Sequence, residues 1–225
     1  MSMKIYPDIK TPKLTDQILF EIKSFIGRKI FKKRSLIRGD SQPLLLDIGA
    51  GSNYKEGWVH IDFFRIALLR FWRNYYRKKE IDVEADLRYP LNCSCDVVDG
   101  VYSGHTLEHL YPREAYQLLC EIYRVLKSKA WLRINVPDLT RMINYYIDKI
   151  DIPEYKYKAE GIANLTQNYG HHSVWDEELL AAALKSVGFI NVKKVVFGKE
   201  ATDKRLIKEE EVRRTETLVM EAQKP

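Results

Sequence analysis

Residues 44 to 62 constrain this chain more than any other stretch. The apolar run Leu44-Leu45-Leu46 leads into Asp47-Ile48 and the turn Gly49-Ala50-Gly51, and a second short run, Trp58-Val59-His60-Ile61, ends on Asp62. Consecutive apolar positions bounded by glycine indicate a strand covered on both faces, as in a parallel sheet. Glycines at its end remove side chains so that backbone N–H groups can approach a ligand. A carboxylate at the tip of the next strand can accept hydrogen bonds from ribose hydroxyls. The pattern is that of an α/β sheet presenting a nucleoside-sized pocket.

With 225 residues the chain has room for one well-buried domain and an appendage. The appendage is expected over residues 1–43. Leu14, Ile18, Leu19, Ile22, Phe25, Ile26 and Ile30 recur at helical spacing, which predicts an amphipathic helix starting near Thr11 or Thr15. Residues 44–225 alternate between strand-like and helical runs. Strands are expected at 44–48, 58–62, 81–85, 97–102, 130–136, 189–197 and 216–222, and helices at 65–78, 112–127, 138–149 and 176–186. This alternation predicts a doubly wound α/β fold with helices on both faces of the sheet. Two departures stand out. Gly51 and Asp62 are too close for a full crossover helix, so the first crossover is shortened. The last two strands are separated by a strongly charged span from Lys199 to Thr215, which reads as a surface loop or short helix and allows an antiparallel last strand.

The remaining composition narrows the setting. No run of about 18 apolar residues exists, so no membrane span is expected. The first residues lack the apolar core of a signal peptide, and three cysteines suit a reducing cytoplasm, where the protein is expected. Cys93-x-Cys95 lacks a second pair and reads as two small half-buried thiols. A net charge of +6 permits an anionic partner without requiring one.

Beyond the first glycine turn the chain carries Gly57-Trp58-Val59-His60-Ile61-Asp62, Ala85-Asp86-Leu87, His105-Thr106-Leu107-Glu108-His109-Leu110, Arg124-Val125-Leu126-Lys127 and Val136-Pro137-Asp138-Leu139. Gly170-His171-His172 precedes Trp175-Asp176-Glu177, and Glu216-Thr217-Leu218-Val219-Met220-Glu221-Ala222 closes the series. In this order and spacing, residues 44 to about 224 resemble the Rossmann-like, S-adenosylmethionine-dependent class I methyltransferases. The resemblance implies a methyl transfer from S-adenosylmethionine to an oxygen or nitrogen of a small-molecule or glycan acceptor. It implies that Asp47, Gly49 and Gly51 line the methionine end of the cofactor, that Asp62 accepts from the ribose hydroxyls, and that Asp86 and the Leu87 backbone address the adenine edge. Ser103, Gly104 and His105 would then lie beside the sulfonium. His105, His171 and His172 are the candidates for a base, should the reaction need one. In such a pocket Asp62→Ala and Gly49→Val are expected to abolish cofactor binding while sparing the fold. Two details depart from the family: Asn53 replaces a third glycine, and Ser128-Lys129-Ala130 replaces a Pro-Gly-Gly turn.

Rival readings exist for the same residues. A nicotinamide oxidoreductase needs a third glycine where Tyr54 stands, and its pyrophosphate needs the crossover helix that the spacing leaves out. His105-Thr106-Leu107-Glu108-His109 matches a zinc-hydrolase pattern, but Pro112 interrupts any long helix there and no adjacent third ligand is evident; a bracing role for Glu108 and His109 is preferred, and no metal is assigned. The stretch from Tyr155 to Asn168 reads as a lid, a substrate wall or a plain connection. Residues 63–79 combine aromatic side chains with six cations, and read as a crossover helix with solvated arginines or as a contact for an anionic membrane surface. A nucleic acid partner is not expected. A non-catalytic scaffold docking a partner through that basic aromatic stretch is the alternative to an enzyme.

Overall fold

The computed structural model describes residues 13–32, 37, 43–51, 53–64, 81–153 and 155–225. Its strands are β1 (Leu45–Ile48), β2 (Trp58–Asp62), β3 (Val83–Glu84), β4 (Val98–Gly104), β5 (Leu126–Pro137), β6 (Ile190–Lys194) and β7 (Thr217–Gln223). They form one sheet in the order β3-β2-β1-β4-β5-β7-β6. β1 pairs in parallel with β2 and β4, while β7 runs antiparallel to both β5 and β6. The order reverses at β1, so a crevice opens beyond the carboxyl ends of β1 and β4. Between β1 and β2 the described residues hold only turns, at Gly49, Gly51 and Glu56–Gly57, in line with the short spacing.

Strand alternation divides the side chains into two unlike faces. Leu44, Leu46, Ile48, Val101, Leu132, Ile134, Val136, Leu218 and Met220 enter the main core. Helices α2 (Pro112–Val125) and α5 (Glu177–Val187) cover that face, α2 through Ala115, Leu118, Leu119, Ile122 and Val125. Their ends are written locally. Pro112 occupies the first turn of α2, where its missing N–H costs nothing. Asp176 caps α5 by accepting from the Leu179 N–H at 2.8 Å, and Gly188, at φ 116°, stops it.

The opposite face carries Leu45, Trp58, Tyr102 and Trp131, and Leu206 packs into it. Leu206 belongs to the charged span between β6 and β7, which sequence reasoning left on the surface. The span instead turns across the sheet through 3₁₀ turns at Lys204–Leu206 and Glu211–Arg213, and Leu206 and Lys208 are buried. Gly100 makes room for it, since a side chain there would press on Leu206 and Leu45. The anchor is Arg133 of β5, fully buried in an ion pair with Glu209 and 2.7 Å from Glu221 Oε1. Its Nη1 also donates to the Glu200 carbonyl at 2.7 Å. A run rich in charge therefore folds inward because its charges are matched one against another.

Two other expectations need revision. Residues 158–167 form a helix, α4 (Lys158–Gln167), paired with α3 (Leu139–Tyr146) around Met142, Tyr145, Ile152 and Leu165. Only Gly161 and Leu165 of α4 are buried, too few to leave a periodic apolar signal. The amphipathic α1 (Leu14–Ile30) exists, but its buried residues are Ser24 and Gly27, while Leu14, Ile18, Ile22 and Phe25 are exposed. The absent Gly27 side chain lets the helix lie against the Phe64 ring. Ser24 Oγ donates to Asp86 Oδ2 at 2.5 Å, and Arg88 bridges Asp86 and Glu21. The helix expected at 65–78 lies outside the described residues.

The Asp86 bonds carry a pH dependence. Burial alone would raise this carboxyl, but the hydrogen bonds from Arg88 and Ser24 outweigh it and hold Asp86 below its ordinary value of 3.8. A depressed folded-state pKa adds stability that is present above 3.8 and lost as pH falls through the folded value. Acid titration followed by tryptophan fluorescence is expected to show an Asp86→Asn variant closer in stability to the wild type at pH 2 than at pH 7; equal differences at both pH values would refute the assignment.

Candidate active site

At the carboxyl ends of β1, β4 and β5 a cavity of about 210 Å³ is lined by Asp47, Gly49, Ala50, Gly51, Tyr102, Gly104, His105 and Asn135. Phe197, Lys208, Glu210 and Arg213 close it from the β6–β7 span. Of the residues expected from the sequence, Asp47, Gly49, Gly51, Gly104 and His105 are brought together here. The other lining group, led by Lys208, was not foreseen. A run of lysine, arginine and glutamate has the composition of a solvated surface, so only its pairing with the sheet distinguishes it.

The glycine turn works differently from a free backbone cradle. Gly49 and Ala50 both donate their N–H groups to the Ile61 carbonyl, and Gly51 donates to Asp62 Oδ2 at 3.0 Å. These bonds lock the turn to the end of β2. Positive φ at Gly49 (73°) and Gly51 (59°) makes glycine the favoured residue, and Gly51 faces open space while Gly49 is packed on Thr106. Asp62 also accepts from the Phe63 N–H at 2.6 Å. Asp62 does not itself line the cavity; it lies behind the glycine turn, and each of its oxygens keeps further acceptor capacity.

Asp47 and Lys208 dominate the floor. Lys208 Nζ lies 2.6 Å from Asp47 Oδ2 and also donates to the Asn53 carbonyl. Burial pushes the Asp47 carboxyl above its usual range despite that ammonium. Burial, with the nearby Glu209 and Asp47 carboxylates, drives the Tyr102 hydroxyl far above an ordinary phenol, so it remains protonated. It accepts from Asn135 Nδ2 at 3.1 Å. The cavity thus holds two acids, Asp47 and Glu210, and two bases, Lys208 and Arg213. That set is complementary to a zwitterionic amino acid with an added sulfonium charge: carboxylates for the cationic groups, cations for the carboxylate.

His105 enters with φ 50° immediately after β4. Thr217 Oγ1 donates its hydrogen to the Arg213 carbonyl, so His105 Nε2, 2.8 Å away, is the donor of their bond. Its Nδ1 lies 3.3 Å from Glu108 Oε1. Nε2 is therefore spent on Thr217, while Nδ1 faces Glu108.

The remaining candidates lie elsewhere. Asp86 is buried beneath Arg88 and Ser24, Leu87 packs on the main core, and neither lines the cavity. Ser103 is buried and paired in register with Ile48 and Ile134, on the helix-covered face. His171 lines a smaller hollow with Pro137, Met142, Asn164, Tyr169, Arg213 and Glu216. His172 lies outside both hollows, its ring stacked on Tyr111 at 4.2 Å.

A family model described as a methyltransferase domain matches residues 46–134, which span β1 to most of β5. The fold is similar to that of an S-adenosylmethionine-dependent methyltransferase from Archaeoglobus fulgidus, at 22% identity over 91% of this chain and 94% of that one, with a TM-score of 0.50. It is equally similar to a protein of Thermotoga maritima described as a possible histamine N-methyltransferase, at 15% identity over 93% and 96% of the two chains, also with a TM-score of 0.50. No curated protein matches the sequence. Those likenesses show the fold, and the match over residues 46–134 marks that segment as an S-adenosylmethionine-dependent methyltransferase domain of the class I type, a domain that indicates an enzyme.

Proposed function

We propose that the methyl group passes to an oxygen or nitrogen of a small-molecule or glycan acceptor that approaches past Arg213, where the cofactor cavity adjoins a smaller, water-sized hollow of about 10 Å³. The observation that supports this reading is Arg213, which lines both the cofactor cavity and that hollow. The two hollows that share this residue have suitable chemistry. One matches the charged methionine end; the other offers Asn164, Glu216 and the Tyr169 ring, groups that bind hydroxyls or amines. S-adenosylmethionine supplies an electrophilic methyl carbon when bound. The chain's own contribution is to align an acceptor lone pair with that carbon and to exclude water, effects large enough to carry such a displacement without a dedicated base.

Transfer of radiolabelled methyl from S-adenosylmethionine, read across a panel of hydroxylated and amine acceptors, tests the reading. With the acceptor so found, Tyr169→Ala is expected to raise its KM about tenfold while leaving cofactor affinity unchanged, since a well-packed aromatic contact contributes about 1.4 kcal/mol. Loss of cofactor affinity alone would place the acceptor elsewhere. Asp62→Ala is expected to weaken the cofactor by at least about tenfold in calorimetric titration, because it frees the Gly51 N–H of the glycine turn; wild-type affinity would exclude Asp62 from a part in cofactor binding.

An anionic membrane face is the second proposed partner, and the outward apolar row of α1, Leu14, Ile18, Ile22 and Phe25, supports it. Residues 65–80 lie outside the described set, but Phe63 and Phe64 lead into them from beneath α1, Phe63 stacked on Phe20 at 4.0 Å. Among the described residues no helix is long and apolar enough to cross a membrane, so the contact would be peripheral. Co-sedimentation with vesicles containing anionic lipid at low salt tests it, and no binding there would end the proposal.

A further inference from the structure

Close to His105, Glu108 meets two imidazoles, His109 and His171, the second of which also borders the smaller hollow. Glu108 lies in the 3₁₀ turn Leu107–His109 and is 1% exposed. Neither of its carboxylate oxygens accepts a hydrogen bond of good geometry; the nearest basic nitrogen is His105 Nδ1, 3.3 Å from Oε1. A buried carboxylate left in that state is costly, and a cation is the ordinary remedy. One ligand atom each from Glu108, His109 and His171 lies within 4.8 Å of the others.

The two imidazoles are arranged as metal ligands are. His171 Nδ1 donates to the Leu165 carbonyl at 2.8 Å, which fixes the tautomer and leaves Nε2 with its lone pair. His109 bonds the Tyr169 backbone through its ring. A backbone partner on the second nitrogen is the usual outer support of a metal-bound histidine. The rings stand edge to face, centroids 4.9 Å apart. The loop bearing His171 is tied to the turn bearing Glu108, because the His172 and Ser173 N–H groups both donate to the Glu108 carbonyl, at 2.7 and 3.1 Å. Ser173 Oγ adds a bond to the Leu107 carbonyl at 3.1 Å.

We propose that Glu108, His109 and His171 form a binding site for one divalent transition-metal ion of the zinc type. Two imidazoles and one carboxylate suit such an ion, whereas calcium and magnesium take oxygen ligands. Shifts of about an ångström would bring the three atoms to bonding distances of about 2.0–2.2 Å around one centre, with a fourth position left for water. The sequence pattern had paired His105 with His109 by helical spacing. A 3₁₀ turn in place of a helix sends His105 to Thr217 instead, and the missing third ligand arrives from beyond α4. The ion would fasten the turn that carries His105 to the segment that walls the smaller hollow.

The test is metal binding by the full, untagged chain after chelator treatment, so its outcome is separate from that of the methyl-transfer assays. Titration with zinc chloride against a chromophoric chelator is expected to give one ion per chain, and cobalt(II) a visible spectrum of low-coordinate type. His171→Ala, at a half-buried position, is expected to weaken zinc at least about a hundredfold, beyond the roughly 10–100-fold range of outer-shell changes. His109→Ala should do the same, while a Cys93→Ser/Cys95→Ser variant should bind as the wild type does. Absence of stoichiometric zinc on the wild type overturns the proposal. So does zinc held equally well by both histidine variants, or lost with the two cysteines.

Discussion

Arg133→Met is expected to lower the free energy of unfolding by about 3–5 kcal/mol, the cost of removing one partner from a buried ion pair. Arg133 and Glu209 are fully buried and Glu221 nearly so, and the guanidinium serves both carboxylates. Without it, two acids remain inside the protein, and among the described residues the ion-pair partner left to them is Lys193, whose Nζ lies 3.9 Å from Glu221 Oε2 and is half exposed. The loss corresponds to roughly 10 °C in Tm for a domain of this size. It should reach the active site as well, because Arg133 also holds the Glu200 carbonyl and so anchors the span carrying Lys208, Glu210 and Arg213. Urea unfolding gives the measurement. A triple variant, Arg133→Met with Glu209→Gln and Glu221→Gln, is expected to recover much of the loss, since it removes all three charges together. A single Arg133→Met variant as stable as the wild type would show that the triad is not buried as described.

Gly49→Val is expected to abolish cofactor binding and, in addition, to cost about 2–5 kcal/mol of stability. From sequence alone this change seemed confined to the pocket. The structure shows otherwise. A Cβ at Gly49 would fall within van der Waals contact of Thr106 Oγ1, and φ is 73° there. Thr106 cannot easily retreat, because its hydroxyl lies 3.1 Å from the Ile48 carbonyl and 3.2 Å from that of Gly104. It therefore joins the ends of β1 and β4, the two strands between which the crevice opens. Gly51→Ala is the informative contrast. Its φ is 59° but no atom lies within 4 Å of the added carbon, so only the conformational cost of about 1–2 kcal/mol is expected. Thermal unfolding with and without S-adenosylmethionine separates the two effects. A Gly49→Val protein with the wild-type Tm would mean that Thr106 yields more readily than its two bonds imply.

Most of the strands were legible because they are short runs rich in apolar residues and bounded by glycine, proline or charge. Helix α4 was not legible, since a helix that buries only Gly161 and Leu165 leaves no periodic signal. In α1 the spacing was read correctly as helical, but the apolar stripe does not point inward. The docking face is Ser24 and Gly27, chosen by fit to Asp86 and Phe64, and neither residue is distinguished by hydrophobicity. The cofactor cavity divided in the same way. Its β1 floor and glycine turn could be read from residues 47 to 51; its roof could not.

By itself the sequence determined the strand set, the glycine turn with its flanking acids, and the family of the domain. Those depend on local chemistry: side-chain branching, turn conformations and the apolar period. Only the tertiary structure decided that the charged span from Lys199 to Thr215 roofs the cavity, that Arg133 anchors it, and that His171 joins Glu108 and His109. A charge is favourable inside a protein only when its partner arrives with it, and the partners of Arg133 and Asp47 lie far along the chain, where no local pattern announces them.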